Sequence, residues 1–208
     1  TVLSRGLGDV YKRQGNRDAD IIIVTDSPTL VEDRLGHHNT SDMRWTLNAF
    51  KHAIGRDTMP IGAVAELFFE RCFVTSATLC TRKMMAGDDI GAAVEPSWTH
   101  VKKCRDRLLR TIYHVDPLVI VAAGKFAAQA LAGKNKALPA RNGKVSGMFT
   151  VVVPGELGDI TYSAIPSYDP HVAERRGDYD DPTGAVSAFT TALTGAWKLS
   201  TYLREEDK

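Results

Sequence analysis

Three short runs rich in β-branched residues constrain the fold more than any other feature of this chain. Residues 19–25 (ADIIIVT), 72–77 (CFVTSA) and 118–123 (LVIVAA) are each bounded by polar segments and are too short for an average helix. Near-continuous apolar runs of that length read as strands buried on both faces. The segments between them carry a different period. Trp45, Leu47, Phe50 and Ile54 recur at helical spacing, which predicts a helix over 42–54 with Gly55 just past its C-terminal cap. A second helix is expected over 61–70. Val101, Cys104, Leu108 and Ile112 form the apolar stripe of a strongly basic third helix, and small residues at 125–132 suit a fourth packed close to a sheet. Two further strands follow at 149–153 and 160–165, and Val186, Phe189, Leu193 and Trp197 mark a final helix. Residues 78–98 read as a polar, glycine-containing loop of unusual length, and loops that long are usually functional. Strands alternating with helices at this spacing predict an α/β fold. The expected form is a three-layer α/β/α sandwich around a central, mainly parallel sheet of four to five strands.

Size and charge exclude several classes. The chain has 208 residues, enough for one sizeable core, and its longest apolar runs, such as 117–123, stop far short of a bilayer span. Net charge is +1, so a nucleic-acid partner would have to be held by a local basic patch rather than by a global field. Three cysteines, an odd count, argue against a disulfide framework and for thiols that are free or ligate metal. Residues 1–14 (TVLSRGLGDVYKRQ) show neither period and resemble translated read-through of a sequencing adapter, as found on open reading frames assembled from environmental DNA. On that expectation the natural N-terminus is missing and residues 15–208 form a single domain. Without the leader the balance is 23 basic against 24 acidic residues.

A parallel sheet of this kind places ligands at the C-terminal ends of its strands, here the loops after Thr25, Ala77, Ala123 and Ile165. After the first strand, Asp26, Ser27 and Pro28 form either a plain turn with an aspartate cap or a carboxylate and backbone amides offered to a ligand. After the third, Gly124 permits close backbone approach, and the helix N-terminus behind it, strengthened by Lys125, favours an anion such as a DNA phosphate. Gly133-Lys134 is not a P-loop, because Ala128 stands where the first glycine belongs and Asn135 where a magnesium-binding hydroxyl belongs. No dinucleotide fingerprint follows the first strand. Cys72 reads as core. Cys80 and Cys104 either converge on one metal or are two unrelated buried thiols, and His100, one helical turn before Cys104, permits a zinc reading.

Several strings, in order along the chain, resemble the uracil-DNA glycosylase superfamily, and in particular its branch carrying a four-iron, four-sulfur cluster. Gly15-Asn16-Arg17-Asp18-Ala19-Asp20 is similar to that branch's G-N-P-x-A-D, and residues 25–36 (TDSPTLVEDRLG) to its G-E-A-P-G-x-x-E-D-x-x-G, with Pro28, Glu32, Asp33 and Gly36 in register. Residues 74–80 (VTSATLC) parallel I-T-N-x-x-K-C, and Cys104-Arg105 parallels a later C-R. Residues 117–133 resemble P-x-V-I-V-A-L-G-x-x-A-A-x-x-L-L-G, and Ile165-Pro166-Ser167-Tyr168 resembles H-P-S-Y. The likeness runs from about Gly15 to Trp197 without rearrangement.

The resemblance implies a DNA base-excision glycosylase that flips a uracil or related modified base out of single-stranded or duplex DNA and hydrolyses its glycosidic bond. It implies a [4Fe–4S] cluster in the intact protein, with Cys80 and Cys104 as two ligands and a C-x-x-C pair upstream of Gly15 as the others. Asp26 stands at the family's acidic position and would orient a water or stabilise the sugar cation. The pocket would be formed by Ser27, Pro28, Asn39, Ser76 and Ile165. Here the chain departs from the pattern: Ser76 replaces an asparagine that reads the base edge, Asn39 a stacking aromatic, and Ile165 the histidine that stabilises the leaving base. Ile165 can donate no hydrogen bond. His171 on the same loop is the candidate replacement imidazole. Loop residues 168–172 would fill the gap left in the duplex, and Gly124, Lys125, Ser167, Tyr168, Arg175 and Arg176 would meet DNA, largely through phosphates. The alternative reading is a noncatalytic DNA-binding module that keeps the fold, of the kind a phage replication complex could use. The expected protein is an intracellular, nucleoid-associated monomer.

Overall fold

The computed structural model describes residues 14–29, 32, 43–79, 82–86, 89–94, 96–133, 147–177, 181 and 184–206. Its spine is a six-stranded sheet. In chain order the strands are β1 (Gln14–Gly15), β2 (Ile21–Thr25), β3 (Cys72–Ser76), β6 (Val119–Ala123), β7 (Phe149–Gly155) and β8 (Gly158–Ser167), arranged β1-β3-β2-β6-β8-β7. The four central strands β3, β2, β6 and β8 run parallel, while the two edges, β1 on β3 and β7 on β8, are antiparallel. Apart from the two-residue β1, five strands make the mainly parallel sheet that the sequence predicts.

Helices cover both faces of that sheet, which is why β2, β3 and β6 are buried along their whole length. On one side α3 (Trp98–Val115) and α4 (Lys125–Ala132) press Leu108, Ile112, Phe126 and Leu131 against Ile22, Val24, Ile120 and Ala122. On the other, α1 (Met43–Ala53), α2 (Ile61–Arg71) and α6 (Ala185–Glu206) set Phe50, Phe68, Phe189 and Leu193 against Ile21, Ile23 and Val121. Each such side chain, fully withdrawn from water, stabilises the fold by roughly 1.5–3 kcal/mol. α1 ends as expected: Gly55 takes φ +67°, its N–H donates to His52 O and the Arg56 N–H donates to Lys51 O, the paired bonds of a Schellman cap. α6 is tied to the N-terminal end of β2 by Asp20, which accepts from Arg71 and, at 3.1 Å, from Arg204, while the Arg71 guanidinium lies 4.8 Å from the Trp197 ring.

Two local expectations are corrected. The stretch expected as an irregular loop over 78–98 contains an antiparallel hairpin, β4 (Arg82–Ala86) with β5 (Asp89–Val94). The segment after β8, expected as a loop through Val172, becomes helix α5 (Pro170–Arg176), because Asp169 caps it and Pro170 supplies the φ of a first helical position. Gln14, placed in the leader by its sequence, pairs with Val74 in the sheet, and residues 1–13 lie outside the described part.

Candidate active site

β2 is flanked by β3 on one side and β6 on the other, so the chain reverses direction across the sheet at the β2/β6 boundary. Ligand crevices open at such a point, beyond the carboxyl ends of the strands. Thr25 and Ala123 are partners in register there, and the next residues are Asp26 and Gly124. Gly124 has φ +124° and ψ 165°, a region that only glycine enters without strain. A Cβ at this position would lie 2.2 Å from Asp26 Oδ1 and 2.6 Å from Oδ2. The missing side chain is what admits the carboxylate. Asp26 Oδ1 accepts a 2.7 Å hydrogen bond from the N–H of Ala127, the third residue of α4, so it caps that helix from a separate strand. Its carbonyl accepts from Thr78 N at 3.2 Å and Thr78 Oγ1 at 3.3 Å. The half-buried carboxylate therefore has a fixed direction at the crevice.

A second carboxylate stands behind the first. Asp169, 6% exposed at the junction of β8 and α5, accepts from the Asp26 N–H at 3.1 Å through Oδ2 and from the His171 N–H at 2.9 Å through Oδ1. Burial raises its pKa, an effect opposed by the nearby His171 charge and by the two N–H donors. Glu32 completes the group: its Oε2 accepts from Thr29 N at 2.6 Å, its N–H donates to Thr29 Oγ1 at 3.2 Å, and Oε2 lies 3.6 Å from His171 Nε2. The reciprocal pair is a capping box. Thus Asp26 and His171, the two residues the sequence marks for chemistry, are joined through Asp169, with the Glu32 carboxylate 3.6 Å from the imidazole. Asp169 and Glu32 carry no catalytic role in the sequence reading. Asp169-Pro170 as a helix start and Thr29-x-x-Glu32 as a capping box are the signals that could have found them.

The other candidates are placed unequally. Ser27 is half-buried and Pro28 buried beside Asp26. Ser76 is 0% exposed, its hydroxyl 2.8 Å from Thr25 Oγ1, and its carbonyl accepts a 2.6 Å bond from Arg107 of α3. Ile165 packs into the apolar layer beneath α6, facing Gly195. Ser167 is buried, its hydroxyl has no hydrogen-bond partner among the described residues, and its carbonyl accepts from Gly124 N at 2.9 Å. Lys125, Arg175 and Arg176 are exposed, and Arg176 stacks 5.3 Å from the Tyr168 ring. Cys72 is buried core, as its strand predicts, and burial pushes its thiol pKa far up. Cys104 is half-buried, and the His100 ring meets Ser97 Oγ at 2.5 Å. Asn39 and Cys80 lie outside the described residues. Among the described residues no group of three His, Cys, Asp or Glu side chains suits a metal, and no helix is long and apolar enough to cross a membrane. A groove of about 1050 Å³ between α1 and α6, floored by Trp45 and Trp197, shares no residue with this site.

No curated protein matches the chain. The family model of the uracil DNA glycosylase superfamily matches residues 12–185, a span that begins just before β1 and reaches the start of α6. It takes in every strand of the sheet together with Asp26, Gly124, Asp169 and His171. Members of this superfamily typically act on DNA as glycosylases. By fold and by family, this chain belongs to the uracil DNA glycosylase superfamily.

Proposed function

We propose that this chain hydrolyses the N-glycosidic bond of uracil or a related modified base in DNA, after flipping the nucleotide into the crevice beyond β2 and β6. The observation that carries the reading is the Asp26 carboxylate, seated on Gly124 and aimed by the Ala127 N–H. A carboxylate fixed before substrate arrives costs no reorganisation when positive charge develops on the sugar. Asp26 orients the attacking water or stabilises that cation. The imidazole for the leaving base comes from His171, because Ile165 is committed to the core. Lys125, Arg175 and Arg176 meet phosphates, and Tyr168 lies next to the flipped nucleotide.

Protein incubated with a labelled oligonucleotide bearing one uracil, then treated with alkali, tests this directly. Uracil-dependent cleavage that Asp26→Asn lowers at least 100-fold, with DNA affinity within about twofold of wild type, is the expected result. Turnover unchanged by Asp26→Asn removes Asp26 from the mechanism. Two observations favour a second reading, a DNA-binding module without catalysis: the Ser76 hydroxyl is buried on Thr25, and no imidazole stands at position 165. Oligonucleotide binding without abasic products would decide for it.

The same reading assigns Cys80 and Cys104 to two of the four thiolate positions of a [4Fe–4S] cluster. What supports it is Arg107, three residues after Cys104, which donates to the carbonyls of Ser76 at 2.6 Å and Ala77 at 3.2 Å and so brings the Cys104 turn of α3 to the exit of β3. Cys80 follows three residues after Ala77. Anaerobic reconstitution of the chain placed behind an added C-x-x-C segment should give a brown, iron-loaded product, and a colourless one overturns the assignment.

A further inference from the structure

Asp169 does more than its place at a helix start requires. A helix N-cap needs one acceptor, which serine, threonine or asparagine supplies as well as aspartate. Here one oxygen, Oδ1, makes that cap on the His171 N–H at 2.9 Å, while the other reaches 143 residues back along the chain to the Asp26 N–H at 3.1 Å. The carboxylate is almost wholly buried, and its desolvation works against the charged form. Asp26 is thereby held at its amide by Asp169, at its carboxylate by Ala127 and at its carbonyl by Thr78. Of these holds only the first comes from the segment that carries His171, Arg175 and Arg176.

Resting on the glycosylase reading above, we infer that Asp169 is the positioning residue of this site, its two carboxylate oxygens fixing the backbone of Asp26 and the start of α5 in one frame. The aim of the carboxylate that faces the sugar is then coupled to the docking of α5, with its imidazole and its two arginines. Asp169 touches no reacting atom. Its effect is on orientation, so its loss belongs in kcat and leaves substrate affinity nearly intact.

Asp169→Ser separates the two duties, because a serine hydroxyl still caps α5 but offers one acceptor in place of two. The expected result is a urea midpoint near that of wild type, KM for the uracil oligonucleotide within twofold, and kcat lower by about 10- to 100-fold, the scale of a misplaced catalytic group. Wild-type kcat in Asp169→Ser overturns the inference. Should that variant unfold, Asp169→Asn repeats the test: its carbonyl keeps the cap and its amide turns a donor toward the Asp26 N–H, so wild-type kcat there overturns the inference equally. Hydrogen exchange of the Asp26 amide gives a readout that does not depend on activity. It should be protected in wild type and at least tenfold faster in Asp169→Ser, with β6 amides unchanged, and equal exchange in both proteins overturns the inference. If wild type cleaves no oligonucleotide, the glycosylase reading falls, and the exchange rates alone decide whether Asp169 holds Asp26.

Discussion

Gly124→Ala tests whether a glycine rather than a pocket makes room for the Asp26 carboxylate. Two costs add in this variant. Alanine at φ +124° and ψ 165° is strained by about 1–3 kcal/mol. The new Cβ also falls 2.2 Å from Asp26 Oδ1, so the carboxylate must leave and the cap on Ala127 is lost, a further cost of about 1–2 kcal/mol. Urea denaturation followed by circular dichroism should show a loss of about 2–5 kcal/mol. Asp26→Ala alone loses only the cap, about 1–2 kcal/mol. The informative protein is the double variant: with the carboxylate gone, the Cβ introduced at position 124 no longer meets its three nearest atoms, so the double variant should be no less stable than Gly124→Ala by itself. Excision should be lost in all three. If the two destabilisations instead add in full, the clash is not with Asp26, and the seating of its carboxylate on Gly124 is refuted.

Three other outcomes follow from particular contacts. Cys72, whose buried thiol is held far above the usual cysteine pKa, should resist alkylation in the native protein while half-buried Cys104 is labelled first; peptide mass mapping that finds Cys72 labelled as fast contradicts the burial of β3. Arg107→Met removes guanidinium bonds to Thr75 Oγ1, Ser76 O and Ala77 O and should cost roughly 2–4 kcal/mol in urea unfolding, with a loss under 0.5 kcal/mol refuting the docking of α3 on the β3 exit. The folded state raises the pKa of Asp169 above its ordinary 3.8, so folded protein binds the proton more tightly than unfolded protein does, and this group's contribution is greatest at low pH and declines as pH rises from about 3.8 through the raised value. The stability difference between wild type and Asp169→Ser should therefore shrink with rising pH across that window, and a difference that grows reverses the sign of the argument.

How far the sequence reveals this fold depends on how local each determinant is. β2, β3 and β6 declare themselves because strands covered on both faces need no alternation, only β-branched runs such as Ile21-Ile22-Ile23-Val24. α1 declares its end through Gly55. The β4–β5 hairpin is hidden because Arg82-Lys83-Met84-Met85-Ala86 shows neither β-branching nor alternation, and the legible sign was Gly87-Asp88 between the strands, a Gly-X hairpin dipeptide. α5, seven residues long, is too short to show a period. In the site, Asp26 is legible as a polar residue at a strand exit. Its partners are not, since Ala127 and Asp169 stand 101 and 143 residues away and meet it only through the strand order. Ile165 is legible in a different way: motif resemblance sets it in the base pocket, the pleat of β8 packs it in the apolar layer beneath α6, and no local pattern says which face of a doubly covered strand meets the crevice.

The occupied end of α4 has a consequence for how DNA must be held. A helix N-terminus offers a limited set of unpaired N–H groups and about half a positive charge, enough to favour one anion. In this chain that anion is Asp26, whose Oδ1 takes the Ala127 N–H at 2.7 Å. A phosphate brought to the same terminus would meet a carboxylate already there, and two like charges within a few ångströms repel in a partly buried setting. On the proposed reading this terminus seats Asp26 rather than a phosphate. On that reading phosphates fall to Lys125 at the first position of α4 and to Arg175 and Arg176 in the last turn of α5. Those three cations are exposed. Replacing any one of them should weaken DNA binding and flatten its salt dependence by about one counterion's worth without altering the rate of a bound substrate, whereas replacing Asp26 should do the reverse. A salt slope unchanged by Lys125→Ala or Arg175→Ala would mean that the backbone crosses the protein elsewhere, and the crevice beyond β2 and β6 would lose its claim to the flipped base.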